Sequence, residues 1–100
     1  EGENLKYISL HESSVETIDE GAFRQCGLKV VKLPPSLKTI NIQAFRNCES
    51  LTIINLSTCS LLEEIDQLAF NRCTSLIAAY FPNSRLRIGR SAFYKCPSLI

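Results

Sequence analysis

The side chains best suited to nucleophilic, redox or metal chemistry are five cysteines and one histidine. Four of the cysteines, Cys26, Cys48, Cys73 and Cys96, follow an Ala-Phe pair at one fixed distance: Ala22-Phe23, Ala44-Phe45, Ala69-Phe70 and Ala92-Phe93. A zinc or dithiol site needs close pairs such as C-x-x-C, and none occurs. A disulfide framework staples unlike positions together, whereas these cysteines repeat one slot. A repeated slot does one job in each unit. Cysteine is a small, often buried hydrophobe, and burial suppresses the thiolate that exchange or metal chemistry requires. The four therefore read as a column of buried free thiols, with no metal and no cofactor. On this reading Cys48→Ser places a hydroxyl without a partner in an apolar column, at an expected cost of about 1–3 kcal/mol. Cys59 lies outside the register. It is either an exposed, reactive loop thiol or a loop residue packed on Leu61 or Leu62, and the packed reading is preferred. His11, beside Glu12, has no second base or nucleophile in register and reads as a surface residue. No catalytic residue is expected, and no enzyme.

The thiol slot belongs to a longer unit. An isoleucine precedes each alanine by four residues, at Ile18, Ile40, Ile65 and Ile88. A second signature, Leu-x-x-apolar-x-apolar, follows each cysteine: Leu28/Val31/Leu33, Leu51/Ile54/Leu56 and Leu76/Ala79/Phe81. A copy at Leu5/Ile8/Leu10 precedes them, and Leu99-Ile100 begins another. The alanines are 22, 25 and 23 residues apart. A period in the low twenties is the mark of a solenoid. Cys26-Gly27-Leu28 is one residue shorter than Cys48-Glu49-Ser50-Leu51, and glycine suits the tighter path. About two extra residues lie between Leu56 and Ile65, in the loop after a strand, where stacked coils tolerate insertion.

Within a unit, Ile54 and Leu56 are two apart and share one face of a strand. Pro34-Pro35 and Pro82-Asn83 end pairing, because proline has no N–H to donate. The Ala-Phe-x-x-Cys segment has apolar residues at i, i+1 and i+4, which predicts one turn of α- or 3₁₀-helix with Phe and Cys inward. Ser50, Ser75 and Ser98 recur before the leucine as hydrogen-bonding turn residues. One coil cannot bury its own apolar edge. Coils stacked with strands about 4.8 Å apart bury a continuous core of Leu, Ile, Phe and Cys.

The unit Ile-(x)3-Ala-Phe-x-x-Cys-x-Ser-Leu-x-x-Ile-x-Leu-Pro closely resembles the BspA-like (Treponema-type) leucine-rich repeat. Cys48-Glu49-Ser50-Leu51, Cys73-Thr74-Ser75-Leu76, Cys96-Pro97-Ser98-Leu99 and Leu33-Pro34 carry the resemblance, which runs from Leu5 to Ile100. Gly27, Ala79, Phe81 and the insertion near Cys59 depart from it without interrupting the core. The resemblance implies a right-handed solenoid of the α/β type, with a parallel β-sheet on one face and short helical or 3₁₀ turns on the other. It also implies a large surface or secreted protein of a bacterium, protist or alga, acting in adhesion to host proteins, cells or matrix. It brings no catalytic residues.

The composition, 45% hydrophobic and 21% charged, is that of a folded chain rather than a disordered one. A formal net charge of +1 argues against nucleic acid as partner. No apolar run approaches the roughly 20 residues that span a bilayer, so no direct membrane insertion is expected. No signal peptide opens the chain, which begins and ends inside the repeat. Residues 1–100 are therefore expected to be a single array of about four repeats from a longer protein, its ends covered by further repeats or a partner chain. The outward strand face is the default binding surface of a solenoid. By alternation it carries Tyr7, Val30, Ile53 and Ala78 in one column and Ser9, Lys32, Asn55 and Tyr80 in the next. These eight are the candidate partner-binding residues, for a protein or cell-surface macromolecule, although β-formers on an exposed sheet would look the same. Asn55-Leu56-Ser57 fits the N-glycosylation pattern but falls in a strand. Residues 1–23 hold Glu1, Glu3, Glu12, Glu16, Asp19 and Glu20 against Lys6, whereas residues 76–100 hold Arg85, Arg87, Arg90 and Lys95 and no acid. That asymmetry either steers a partner or averages out along a longer stack. Two alternatives to the adhesion module remain: a structural subunit docked through its ends, and an intracellular regulatory repeat domain.

Overall fold

The computed structural model describes residues 6–82 and 85–99. Leu5, Asn83 and Ile100 of the expected signatures, with Glu1 and Glu3 of the acidic group, lie outside them. The described chain is a parallel β-solenoid. Each coil contributes a three-residue strand and then a two-residue strand. The first set is β1 (Tyr7–Ser9), β3 (Val30–Lys32), β5 (Ile53–Asn55) and β7 (Ala78–Tyr80). The second is β2 (Thr17–Ile18), β4 (Thr39–Ile40), β6 (Glu64–Ile65) and β8 (Arg87–Ile88). The second set forms one parallel sheet in the order β2-β4-β6-β8, here called the flank. The first set, the front, forms two parallel pairs, β1-β3 and β5-β7.

The expected strand alternation is present. Val31 and Ile54 point inward and are buried, and their neighbours Val30, Lys32, Ile53 and Asn55 are exposed. Of the isoleucines expected to re-enter the core, Ile18, Ile40 and Ile65 are buried on the flank, whereas Ile88, paired with Ile65 on the last strand, is exposed. Leu37, Leu51, Leu56, Ala44, Ala69 and Cys59 complete an apolar interior. The phenylalanines stack ring on ring. Phe23, Phe45, Phe70 and Phe93 have centroid separations of 5.2, 5.1 and 5.1 Å and nearly parallel planes. Each such contact adds about 0.5–1.5 kcal/mol beyond burial.

The expected helical turns are not found. Among the described residues the Ala-Phe-x-x-Cys segments are runs of tight turns with no helix. The physical reason lies in two left-handed residues per segment. Gly21 and Gln25, Gln43 and Asn47, Leu68 and Arg72, and Ser91 and Lys95 all have φ between 59° and 64°. Gly21, Gln25, Gln43, Asn47 and Arg72, with Phe23, Phe45 and Phe70 between them, aim their N–H groups along the solenoid axis at carbonyls of the next coil. Phe23, Phe45 and Phe70 N–H groups donate to the Ala44, Ala69 and Ala92 carbonyls at 2.7–2.8 Å, and Gln25 and Asn47 donate to Arg46 and Asn71. The intervening N–H groups close local turns, as Ala44 to Asn41, Arg46 to Gln43 and Cys48 to Phe45. A helix would direct every N–H back along its own coil. Alternation instead satisfies each coil and the next one together.

Candidate functional site

The thiols are placed by this turn ladder. Cys48, Cys73 and Cys96 Sγ lie 3.1, 3.2 and 3.0 Å from the carbonyl oxygens of Phe23, Phe45 and Phe70 in the preceding coil. Each carbonyl also accepts the N–H of its own coil's cysteine, from Cys26, Cys48 and Cys73 respectively, at 3.2–3.4 Å. The slot therefore wants a small apolar side chain that also donates, and S–H is a weak donor. This corrects the expectation for Cys48→Ser, because a hydroxyl there would face the Phe23 carbonyl. All five cysteines are free, and the column is buried at Cys48 and Cys73 but only half-buried at Cys26 and Cys96, which corrects the expectation of four buried thiols. Burial pushes the Cys48 thiol up to about 12. Cys73 is raised by its hydrogen bond to the Cys96 sulfur and by burial. Cys59 is fully buried, packed in the core with Leu62, and burial raises it too. The exposed, reactive alternative for Cys59 is thereby overturned. No three His, Cys, Asp or Glu among the described residues are placed to hold a metal ion.

The front face holds the eight candidate partner-binding residues. Tyr7 pairs with Val30 and Ile53 with Ala78 in one row; Ser9 pairs with Lys32 and Asn55 with Tyr80 in the next. Tyr7, Val30, Ile53 and Tyr80 are 51, 41, 48 and 52% exposed, so the face presents large apolar surface to solvent. Ser9, Lys32 and Asn55 are exposed and Ala78 is half-buried.

The two rows are interrupted by a seam. No ladder joins β3 to β5. Among the described residues one backbone hydrogen bond crosses it, from the Thr52 N–H to the Lys29 carbonyl at 3.5 Å. The equivalent bonds on either side, Lys29 to Lys6 and Ile77 to Thr52, measure 2.8 Å. Both irregularities of the repeat meet here. Gly27 shortens the approach to β3, and Ser57-Thr58 lengthens the exit from β5. The extra residues form a turn closed by the Cys59 N–H on the Leu56 carbonyl at 2.9 Å. Asn55 caps that turn: its Oδ1 accepts the Ser57 N–H at 3.0 Å and the Ser57 hydroxyl at 2.7 Å. The result is a groove of about 650 Å³ along the seam. It gathers Tyr7, Ser9, Val30, Lys32, Ile53 and Asn55 and leaves Ala78 and Tyr80 outside. Lys29, Thr52, Thr58 and the His11-Glu12 pair also line it. From sequence His11 reads as a surface residue and Lys29, Thr52 and Thr58 are not singled out; the length changes at Gly27 and between Leu56 and Ile65 are the signal that could have found them.

The sequence model of the BspA type Leucine rich repeat region (6 copies) matches residues 1–100. The chain belongs to the BspA-type leucine-rich repeat family. Among solved structures it is similar to a leucine-rich repeat protein from Bacteroides ovatus ATCC 8483, with 32% identity and a TM-score of 0.77 over 93% of this chain. The chain spans 29% of the length of that protein's chain. No curated protein matches. Leucine-rich repeat domains generally mediate protein interactions. In this BspA-type chain the charge asymmetry is partly neutralised between coils: Lys38 pairs with Glu16 at 3.8 Å and Arg87 with Glu64 at 3.7 Å. Ser98 behaves as a turn donor, its hydroxyl giving to the Thr74 carbonyl of the preceding coil at 2.9 Å.

Proposed function

We propose that this chain is a non-enzymatic interaction module that binds another protein through its front face, as part of a larger surface or secreted adhesion protein. The observation that carries the reading is the pair of exposed rows on β1, β3, β5 and β7. Tyr7 and Tyr80 combine an apolar body with a polar tip, and the aliphatic residues between them supply area, the mixture that interfaces favour. The surface or secreted placement is supported by the family, whose bacterial members are commonly found there. The test is a panel of immobilised extracellular matrix and serum proteins probed with the purified chain. Binding to a panel member, lost in the Ile53→Asp, Tyr80→Asp double variant and kept in Arg24→Ala on the turn side, supports the reading. Binding that survives the double variant, or binding by none of the panel, contradicts it.

A second reading concerns the outer coils. Phe23 and Phe93 are half-buried where Phe45 and Phe70 are fully buried, and Ile88 is 47% exposed where Ile40 and Ile65 are buried. These surfaces fit contact with further coils of a longer array or with a partner chain. Scattering or sedimentation of the full-length open reading frame's product would distinguish one elongated array from a docked subunit.

A further inference from the structure

We infer that the seam between β3 and β5 is a docking groove for an extended acidic segment of a partner protein. This rests on the front face being the interaction surface, and adds to it the chemistry of what is bound.

Three side chains form a row of donors across the groove. Lys32 brings an ammonium group with no ion-pair partner among the described residues, where the ion pairs are Lys38–Glu16 and Arg87–Glu64. The Ser9 Oγ accepts the His11 N–H at 3.4 Å, which leaves its O–H to donate outward. The Asn55 Oδ1 is occupied twice by Ser57, which leaves its NH₂ to donate. In both polar neighbours of Lys32 the oxygen is engaged by the protein itself. A ligand meeting this row finds N–H and O–H groups and one positive charge, the requirements of a carboxylate. Lys29 adds a second cation at the other end of the groove, and among the described residues Glu12 is its one acid.

The apolar row sits beside the donor row. Val30 and Lys32 are two residues apart on one strand face, which separates their side chains by about 6.7 Å. An extended peptide has the same separation between alternate side chains. An apolar residue set against Val30 and Ile53 therefore places the residue two positions away against Lys32, Ser9 and Asn55. On a helix the same-face neighbours, three and four residues apart, stand about 5–6 Å from each other, a closer spacing than these two rows have. The groove follows β3 from Lys29 to Leu33, the direction such a strand-like segment would take.

The test uses two fluorescein-labelled peptides, one alternating valine with glutamate and one alternating valine with lysine, titrated against the purified chain by anisotropy. The acidic peptide is expected to bind at least about tenfold more tightly than the basic one, and added salt to weaken it. Lys32→Glu is expected to reverse the order, and Ile53→Asp to weaken the acidic peptide with the fold unchanged by circular dichroism. Equal binding of the two peptides, no binding of the acidic one, or an unchanged order in Lys32→Glu would overturn the inference. A panel protein that needs Ile53 yet ignores Lys32 would also overturn it, while leaving the front-face reading intact.

Discussion

On the flank, Thr17, Thr39, Glu64 and Arg87 stand side by side across four paired strands. On the front, made by the same coils, Val30 and Ile53 stand on either side of a seam crossed by one 3.5 Å backbone bond. The coils differ in length by up to three residues, since the alanines are 22, 25 and 23 apart. All of that variation falls on either side of the front strands, at Gly27 before β3 and at Ser57-Thr58 after β5. The segment from Ile18, Ile40, Ile65 or Ile88 to the following cysteine never changes length. It holds the flank strand, the phenylalanine stack, the left-handed residues and the thiol ladder. Invariant length gives invariant register there, so stability concentrates on that side. Variable length opens the front and gives it a groove. Strength and the proposed recognition thus fall on different parts of each coil.

The contrast is tested most severely by removing one ring. Phe45 is fully buried between two parallel rings at 5.2 and 5.1 Å. Phe45→Ala should cost about 3–5 kcal/mol by urea unfolding, whereas Ile53→Ala on the front should stay within about 1 kcal/mol. Comparable losses at the two sites would remove the division of labour. Next comes Gly89, which leads from β8 into the last turn. A Cβ there would lie 2.8 Å from the Gln67 nitrogen and 2.9 Å from the Asp66 carbonyl carbon, both backbone atoms that cannot yield cheaply. Gly89→Ala should cost about 1–3 kcal/mol. A midpoint equal to that of the parent chain would mean the turns are not stacked this closely.

Two smaller effects address the thiols. Cys73→Ala should cost about 1–2 kcal/mol, and Cys73→Ser no more than that, because serine can still donate to the Phe45 carbonyl. Serine clearly worse than alanine would return the column to simple hydrophobes. The second effect follows pH. The folded-state pKa of Cys48 lies above the ordinary thiol value of 9.0, at about 12, because burial disfavours the thiolate. The unfolded chain therefore releases the proton first. The stabilisation is fully present below pH 9.0 and is lost as pH rises toward about 12. Unfolding midpoints should fall over that window, and fall less in Cys48→Ala. Parallel profiles for the two chains would deny the buried thiol its role.

Much of this design was legible in the sequence. Repetition at one spacing identified the coil, and alternation identified Val31 and Ile54 as inward and Tyr7, Val30, Ile53 and Tyr80 as outward. The thiol column was legible as burial only at its centre, Cys48 and Cys73, since Cys26 and Cys96 in the outer coils are half-buried; its bonding was not legible, because a pattern of residue types does not reveal which carbonyls lie opposite. The helical turn was a reasonable expectation from apolar spacing at i, i+1 and i+4. It failed because Leu68, Arg72 and Ser91, at φ 59–61°, carry no mark of a left-handed backbone. Asn71 is similar: it is buried, receiving Arg46 Nε at 3.0 Å and donating to the Tyr94 carbonyl at 2.9 Å, with no repeat partner of its own type. The seam was visible only as unequal coil lengths. Turning a length difference into a groove requires knowing which side of the coil gives way.

Amide hydrogen exchange read by NMR addresses the difference between the two sides most directly. The Asp66 N–H, bonded to the Ile40 carbonyl at 2.8 Å on the flank, should exchange only with global unfolding. The Thr52 N–H at the seam should exchange about a hundredfold faster or more, through local opening that leaves the flank closed. Equal protection of Thr52 and Asp66 would contradict the seam, and with it the separation of a stable side from an open one.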